Sequence, residues 1–106
     1  MSDYIIVMAT ASSIEEGERI ARAVVGEELA ACCNIFPEIR SVYRWKGDIC
    51  DEREVMLIMK SRATLFTALQ ERIRELHSYE VPEIISFTVE SGLEEYLAWI
   101  GSVTKG

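Results

Sequence analysis

The sequence predicts an α+β domain in the order β-α-β-β-α-β, with a short helix added at the C-terminus. Three observations predict it. Apolar stretches with β-branched residues recur at 4–9, 31–36, 54–60 and 84–89. Segments 14–29 and 64–76 carry apolar residues at helical spacing instead. No helical pattern separates the second strand from the third; Lys46-Gly47-Asp48 supplies only a turn, so the two form a hairpin. This order is the ferredoxin-like, or split βαβ, arrangement. One such domain accounts for residues 1–106.

Element by element, Tyr4-Ile-Ile-Val-Met-Ala9 is a first strand buried on both faces. Ser12 and Ser13 each have a glutamate three residues on, Glu15 and Glu16, so either can open a capping box. Ile14, Ile20, Ala21, Val24, Val25 and Leu29 then fall on one helical stripe, with Glu15, Glu18, Arg19 and Arg22 off it. Gly17 and Gly26 weaken this helix without ending it. Residues 31–36 form the second strand, which Pro37 bends or ends; Ile39, Ser41, Tyr43 and Trp45 alternate with Arg40, Val42 and Arg44, so the chain stays extended. Residues 54–60 return as the third strand of a long hairpin. The second helix starts near Thr64 and buries Leu65, Leu69, Ile73 and Leu76; Pro82 excludes its continuation. Residues 84–89 form the fourth strand. Ser91 and Glu94 read as a capping box for the last helix, with Leu93, Tyr96, Leu97 and Ile100 inward.

Composition narrows the function classes. Of 106 residues 49% are hydrophobic and 27% charged, with 2 Pro and 6 Gly, which excludes a disordered chain. No stretch approaches the ~20 apolar residues of a membrane span. The first residues lack the basic region of a secretory signal, so a cytoplasmic location is expected. The net charge of −7, from 18 acidic and 11 basic residues, disfavours nucleic acid and favours cations. Three cysteines, two of them adjacent (Cys32 and Cys33), make a poor disulfide framework and fit a reducing compartment.

The strand patterns also bear on assembly. Both helices of this arrangement cover one sheet face, so a monomer needs polar residues on the other. Instead Val55, Leu57 and Met59 oppose Met56 and Ile58, and Tyr4, Ile6 and Met8 oppose Ile5, Val7 and Ala9. Only the fourth strand shows a partly polar face, through Ser86 and Thr88. Each exposed aliphatic forgoes roughly 1.5–3 kcal/mol of burial free energy. A homo-oligomer is expected, unless the C-terminal helix covers the second face.

Several residues are candidates for chemistry. Glu54 and Lys60 bracket Met56 and Ile58 on one face of the third strand, as snorkelling strand ends or as pocket walls. His77, the single histidine, follows the second helix as a metal ligand, an acid or base, or a cation suited to the helix dipole. Glu83 lies just beyond Pro82. Cys32 and Cys33 point to opposite sides of a strand and cannot grip one ion together; one of them with His77 or a carboxylate would make a soft copper site, and as core residues they need no ligand. Tyr43 and Trp45 share a face and floor a pocket or anchor an interface. Arg40, Arg44 and Lys46 are too few for nucleic-acid binding. Catalytic triads, phosphate-binding loops and dinucleotide fingerprints are absent from the sequence.

These residues closely resemble the CutA family of divalent-cation-tolerance proteins. The resemblance rests on Leu29-Ala-Ala-Cys-Cys-Asn-Ile35, Ser41-Val-Tyr43-Arg-Trp45-Lys-Gly47, Glu54 through Lys60, His77-Ser-Tyr79-Glu-Val-Pro82-Glu83-Ile84 and Tyr96-Leu-Ala-Trp-Ile100, in family order. It implies a homotrimer similar to the PII signalling proteins, with long hairpins reaching into neighbouring subunits and clefts between them. By position it implies Cys32 and His77, with Glu83 as a third candidate, as ligands for copper or another divalent cation. Tyr43, Trp45, Glu54, Lys60, His77, Tyr79 and Glu83 match the family's inter-subunit cleft. Cys33 in place of Val, Ser61 in place of Thr, and Phe87-Thr88-Val89 in place of Leu-Pro-Ile depart from the family pattern. Two readings follow: a copper-homeostasis protein that binds the cation, or a sensor whose cleft takes a small anionic metabolite through Lys60 and His77. An enzyme using His77 and Glu83 as acid and base ranks last, having no nucleophile or oxyanion hole, and no catalytic residue is assigned.

Overall fold

A computed structural model describes residues 3–105 of the chain. Its elements are β1 (Tyr4–Ala11), α1 (Ile14–Gly26), β2 (Cys32–Trp45), β3 (Asp48–Arg62), a 3-10 turn (Ala63–Leu65), α2 (Phe66–Leu76), β4 (Ile84–Thr88) and α3 (Glu94–Ser102). The strands form one antiparallel sheet in the order β2-β3-β1-β4. This is the ferredoxin-like arrangement that the element order predicts.

Local sequence explains most of the boundaries. Ser13 caps α1, its Oγ accepting the Glu16 N–H at 3.1 Å. The Glu16 carboxylate does not return to Ser13 as a capping box requires; it accepts the Ser12 N–H at 2.9 Å. Pro37 does not end β2. The ladder slips between Phe36 and Ile39, dropping the residue that has no N–H to give, and an edge strand tolerates this. The hairpin closes at Lys46 and Gly47, both at positive φ (49° and 86°), as a tight two-residue turn requires. α2 is preceded by the 3-10 turn, so it starts later than Thr64. The Ser91 capping box does not form: α3 starts after Leu93 without a side-chain cap, and Leu97 packs on Gly92, where an added Cβ would lie 3.3 Å from Leu97 Cδ2.

Val7, Ala9, Leu57 and Met59 from the sheet, Ile20 and Val24 from α1, and Leu69 and Ile73 from α2 are all fully buried on the helix side. The other side is apolar too. Cross-strand rows there run Cys32–Lys60–Ile6–Phe87 and Asn34–Ile58–Met8–Ile85, then Phe36–Met56–Thr10. Phe36, Ile85 and Phe87 are each about half exposed. Ser86 and Thr88 pair with Val7 and Ile5, so the polar positions of β4 lie on the helix side. α3 covers only one end of the open face, with Gly101 against Tyr4 and the Tyr96 hydroxyl 3.8 Å from Cys32 Sγ. Of its expected inward residues Ile100 is buried, whereas Leu93 is 69% exposed and Tyr96 41%.

Candidate functional site

At the far end of the open face, the β2–β3 hairpin and the segment between α2 and β4 enclose a cleft of about 730 Å³. Tyr43, Trp45, Glu54, Tyr79 and Glu83 all line it, together with Arg40 and Glu80. Strand period places Tyr43 and Trp45 on one side of β2, so their rings enter together. Tyr79 donates its hydroxyl to Glu54 Oε2 at 2.7 Å, and Tyr43 donates to Glu52. Burial first, then the bond to Glu54, pushes the Tyr79 phenol above its ordinary range; the bond to Glu52 does the same to Tyr43. Both phenols therefore stay protonated donors at neutral pH. Arg40 grips Asp51 with two bonds of 2.8 and 2.6 Å, which lower the Asp51 pKa and leave little positive charge for the cleft. Lys46 reaches Glu80 at 3.6 Å across the cleft mouth, an exposed and weak pair.

His77 stands behind this wall, its side chain fully buried (0% exposed). Its Nδ1 accepts the Tyr79 N–H at 3.0 Å, so its Nε2 carries the proton of the neutral ring and donates to the Thr10 carbonyl at 2.6 Å. Both nitrogens are engaged. Lys60 lies elsewhere. Six residues along β3 from Glu54, it is about 20 Å away, beside Cys32 in the ladder and bonded to Asn34 Oδ1. Cys32 aligns with Ile6 on β1 and His77 with Thr10, four residues or about 13 Å apart. Within one chain, then, Cys32, His77 and Glu83 do not converge. Among the described residues no three His, Cys, Asp or Glu side chains share a point where a metal ion fits. Cys33 faces the core, and burial, with Cys32 adding to it, pushes its thiol up to about 12.

Sequence reading did not place Arg40, Glu80 or Glu16 in this region. Glu16, read as a helix cap, accepts the Ser78 N–H at 2.9 Å and so holds the wall segment from behind. Nothing in the sequence spacing signals a bond between residues 62 apart.

A family model described as CutA1 divalent ion tolerance protein matches residues 5–103. The divalent-cation tolerance protein CutA of Thermus thermophilus is 42% identical over 95 residues, which are 90% of this chain and 92% of that protein. The chloroplastic protein CutA 1 of Oryza sativa is 41% identical over 101 residues; the match takes in 95% of this chain and 57% of the rice protein. The solved structure of the periplasmic divalent cation tolerance protein CutA from Archaeoglobus fulgidus matches with a TM-score of 0.93 at 37% identity, covering 96% of this chain and 99% of that one. The family description names tolerance of divalent ions and no reaction. No helix among the described residues is long and apolar enough to cross a membrane. With nearly its whole length matched in sequence and in fold, the chain belongs to the CutA1 divalent ion tolerance family.

Proposed function

We propose that the chain serves divalent-cation tolerance by binding the cation itself, as a homotrimer, in the cleft between the hairpin and the 78–83 segment. The sign of the cleft's charge carries this reading. Glu54, Glu80 and Glu83 line it, and the guanidinium of Arg40 is held by Asp51. An anionic metabolite, the competing reading, needs Lys60 and His77; His77 has both nitrogens engaged, and a neighbour's Lys60 brought to the cleft would face Glu54, Glu80 and Glu83. Carboxylate oxygens suit hard and borderline cations, and the general affinity order makes copper the tightest of the first-row divalent ions. Micromolar affinity needs about 8 kcal/mol, more than one carboxylate supplies. Two donors from this chain are therefore required, with water or a neighbouring copy completing the shell.

A closed ring of three uses unlike patches on each chain, and we take these to be the Lys60–Cys32 end of one open face and the cleft end of the next. That contact unites the residues that lie apart in a single chain. Three free cysteines suit a reducing cytoplasm. A binding protein rather than an enzyme is favoured by the engaged ring of His77 and the Cys33 thiol held near 12.

Calorimetric titration with Cu(II) tests the assignment. Glu54→Gln and Glu83→Gln should each weaken binding about tenfold, one donor's share of the affinity. Unchanged affinity in both overturns the cleft reading. Loss in Cys32→Ala alone moves the site to the thiol end of the open face, and loss in His77→Ala without loss in the carboxylate variants moves it behind the wall.

A further inference from the structure

Glu16 lies in the first turn of α1 and is 3% exposed. Its Oε1 accepts the Ser12 N–H at 2.9 Å and the Ser12 hydroxyl at 3.1 Å, and its Oε2 accepts the Ser78 N–H at 2.9 Å. Among the described residues no Lys or Arg pairs with it; the His77 ring lies 3.8 Å away. One carboxylate thus ties the end of β1 and the start of α1 to a segment on the far side of α2. The next N–H along that segment, Tyr79's, goes to His77 Nδ1, while His77 Nε2 is anchored on Thr10. Two successive amides are therefore each taken by a buried side chain. The segment between α2 and β4 has no helix or ladder of its own, so such bonds are what orient it. Its product is the placement of Tyr79, whose hydroxyl holds Glu54 in the cleft.

From this we infer that Glu16 is the positioning residue of the cleft, an inference that rests on the cation reading above. From outside the cleft it fixes Ser78, and through Ser78 and Tyr79 it sets where the Glu54 carboxylate stands. The carboxylate form is essential to this role. Bonds from N–H groups to a charged acceptor are about twice as strong as neutral ones. Burial opposes the charge, but the Ser12 and Ser78 bonds outweigh it and keep the group ionised. Glutamine at this position has one acceptor oxygen and one donor amide, so either Ser12 or Ser78 loses its partner. α1 keeps its Ser13 cap, and the loss falls on the loop.

Three measurements test it. Hydrogen exchange on the unmodified protein should show the Ser78 and Tyr79 amides exchanging about a hundredfold slower than free loop amides. Exchange at free-loop rates overturns the inference, and this readout needs no variant, so it decides even if Glu16→Gln fails to fold. Cu(II) titration of folded Glu16→Gln should show about tenfold weaker binding, the size of one lost charged hydrogen bond. Tyr79→Phe should weaken binding similarly, and the double variant no further than the worse single one, since the two act in series. Additive losses, or full affinity in Glu16→Gln, overturn it, because a merely structural role lowers stability and leaves the folded protein's affinity alone. Weakened binding in Glu83→Gln with full affinity in Glu16→Gln defeats this inference only. Full affinity in both Glu54→Gln and Glu83→Gln defeats the cleft reading, and exchange still decides whether Glu16 orders the wall.

Discussion

His77 gives one nitrogen to a backbone amide and the other to a strand carbonyl 67 residues earlier in the chain. The sequence shows a lone histidine after a helix; it cannot show that distant acceptor, and a ligand and a structural strut look alike. Glu16 has the opposite history, since its place in the first turn of α1 is visible, while its bonds to Ser12 and Ser78 in place of a capping box are not. That bond has a pH signature. Burial raises the Glu16 pKa, but bonds from Ser12 and Ser78 and the nearby His77 bring it net below its ordinary 4.5. A carboxylate depressed in the folded state stabilises above its unfolded pKa, and that contribution is lost as pH falls through the folded value. Thermal melts taken downward from about pH 6 should show stability falling below about pH 4.5 more steeply in the unmodified protein than in Glu16→Gln. Parallel curves would mean that the carboxylate carries no differential charge. The cysteines differ as well. Cys33 packs against the core with its thiol near 12, whereas Cys50 lies on the protruding hairpin. Alkylation at about pH 8, read by mass spectrometry, should modify Cys33 more than about tenfold slower than Cys50. Equal rates would place Cys33 outside the core.

At the scale of elements, periodicity carried the reading well, because strand and helix periods are local properties that tertiary contacts rarely overturn. What escaped were boundaries set by packing. The spacing of Ser91 and Glu94 suggests a cap, yet α3 starts at Glu94, where Leu97 seats on the bare backbone of Gly92. Pro37 suggests a bend or an end, yet the strand absorbs it by a one-residue bulge and runs 14 residues. The two glycines of α1 look alike in the sequence and differ in space. A Cβ on Gly17 would stand 3.1 Å from Val55 Cγ1, so α1 lies close against β3 at this glycine; around Gly26 nothing comes within 4 Å. Gly26→Ala should therefore stabilise by about 0.5–1 kcal/mol through the unfolded chain. Gly17→Val should cost about 2 kcal/mol by forcing the helix off the sheet. Urea melts of the two variants check both signs, and a neutral Gly17→Val would show that α1 can lift without loss.

For the whole molecule, the candidate site was half legible for a geometric reason. Tyr43, Trp45, Glu54, Tyr79 and Glu83 meet at one end of the open face, whereas Lys60 and Cys32 lie at its other end. In the proposed trimer a neighbour's opposite end would join the residues that one chain keeps apart, across a face that is largely apolar. Ile6, Met8, Met56 and Ile58 lie part-buried across its middle, with Phe36, Ile85 and Phe87 about half exposed at its rim. Leaving such a surface wet forgoes part of the about 1.5–3 kcal/mol that burying a large aliphatic supplies, which favours the proposed association. Light scattering at micromolar concentration should give about 36 kDa, three chains of 12.0 kDa. Ile85 is 47% exposed in the single chain, so aspartate there costs that chain's own fold little and places a charge inside the interface. Ile85→Asp should fall to about 12 kDa with its circular dichroism unchanged. Its Cu(II) affinity should fall as well, since the cleft loses both the neighbour's donors and the field of a trimer carrying about −21 from three chains of −7. A single-chain mass for the unmodified protein would reject the assembly, and full Cu(II) affinity in a monomeric Ile85→Asp would show that one chain supplies the whole site.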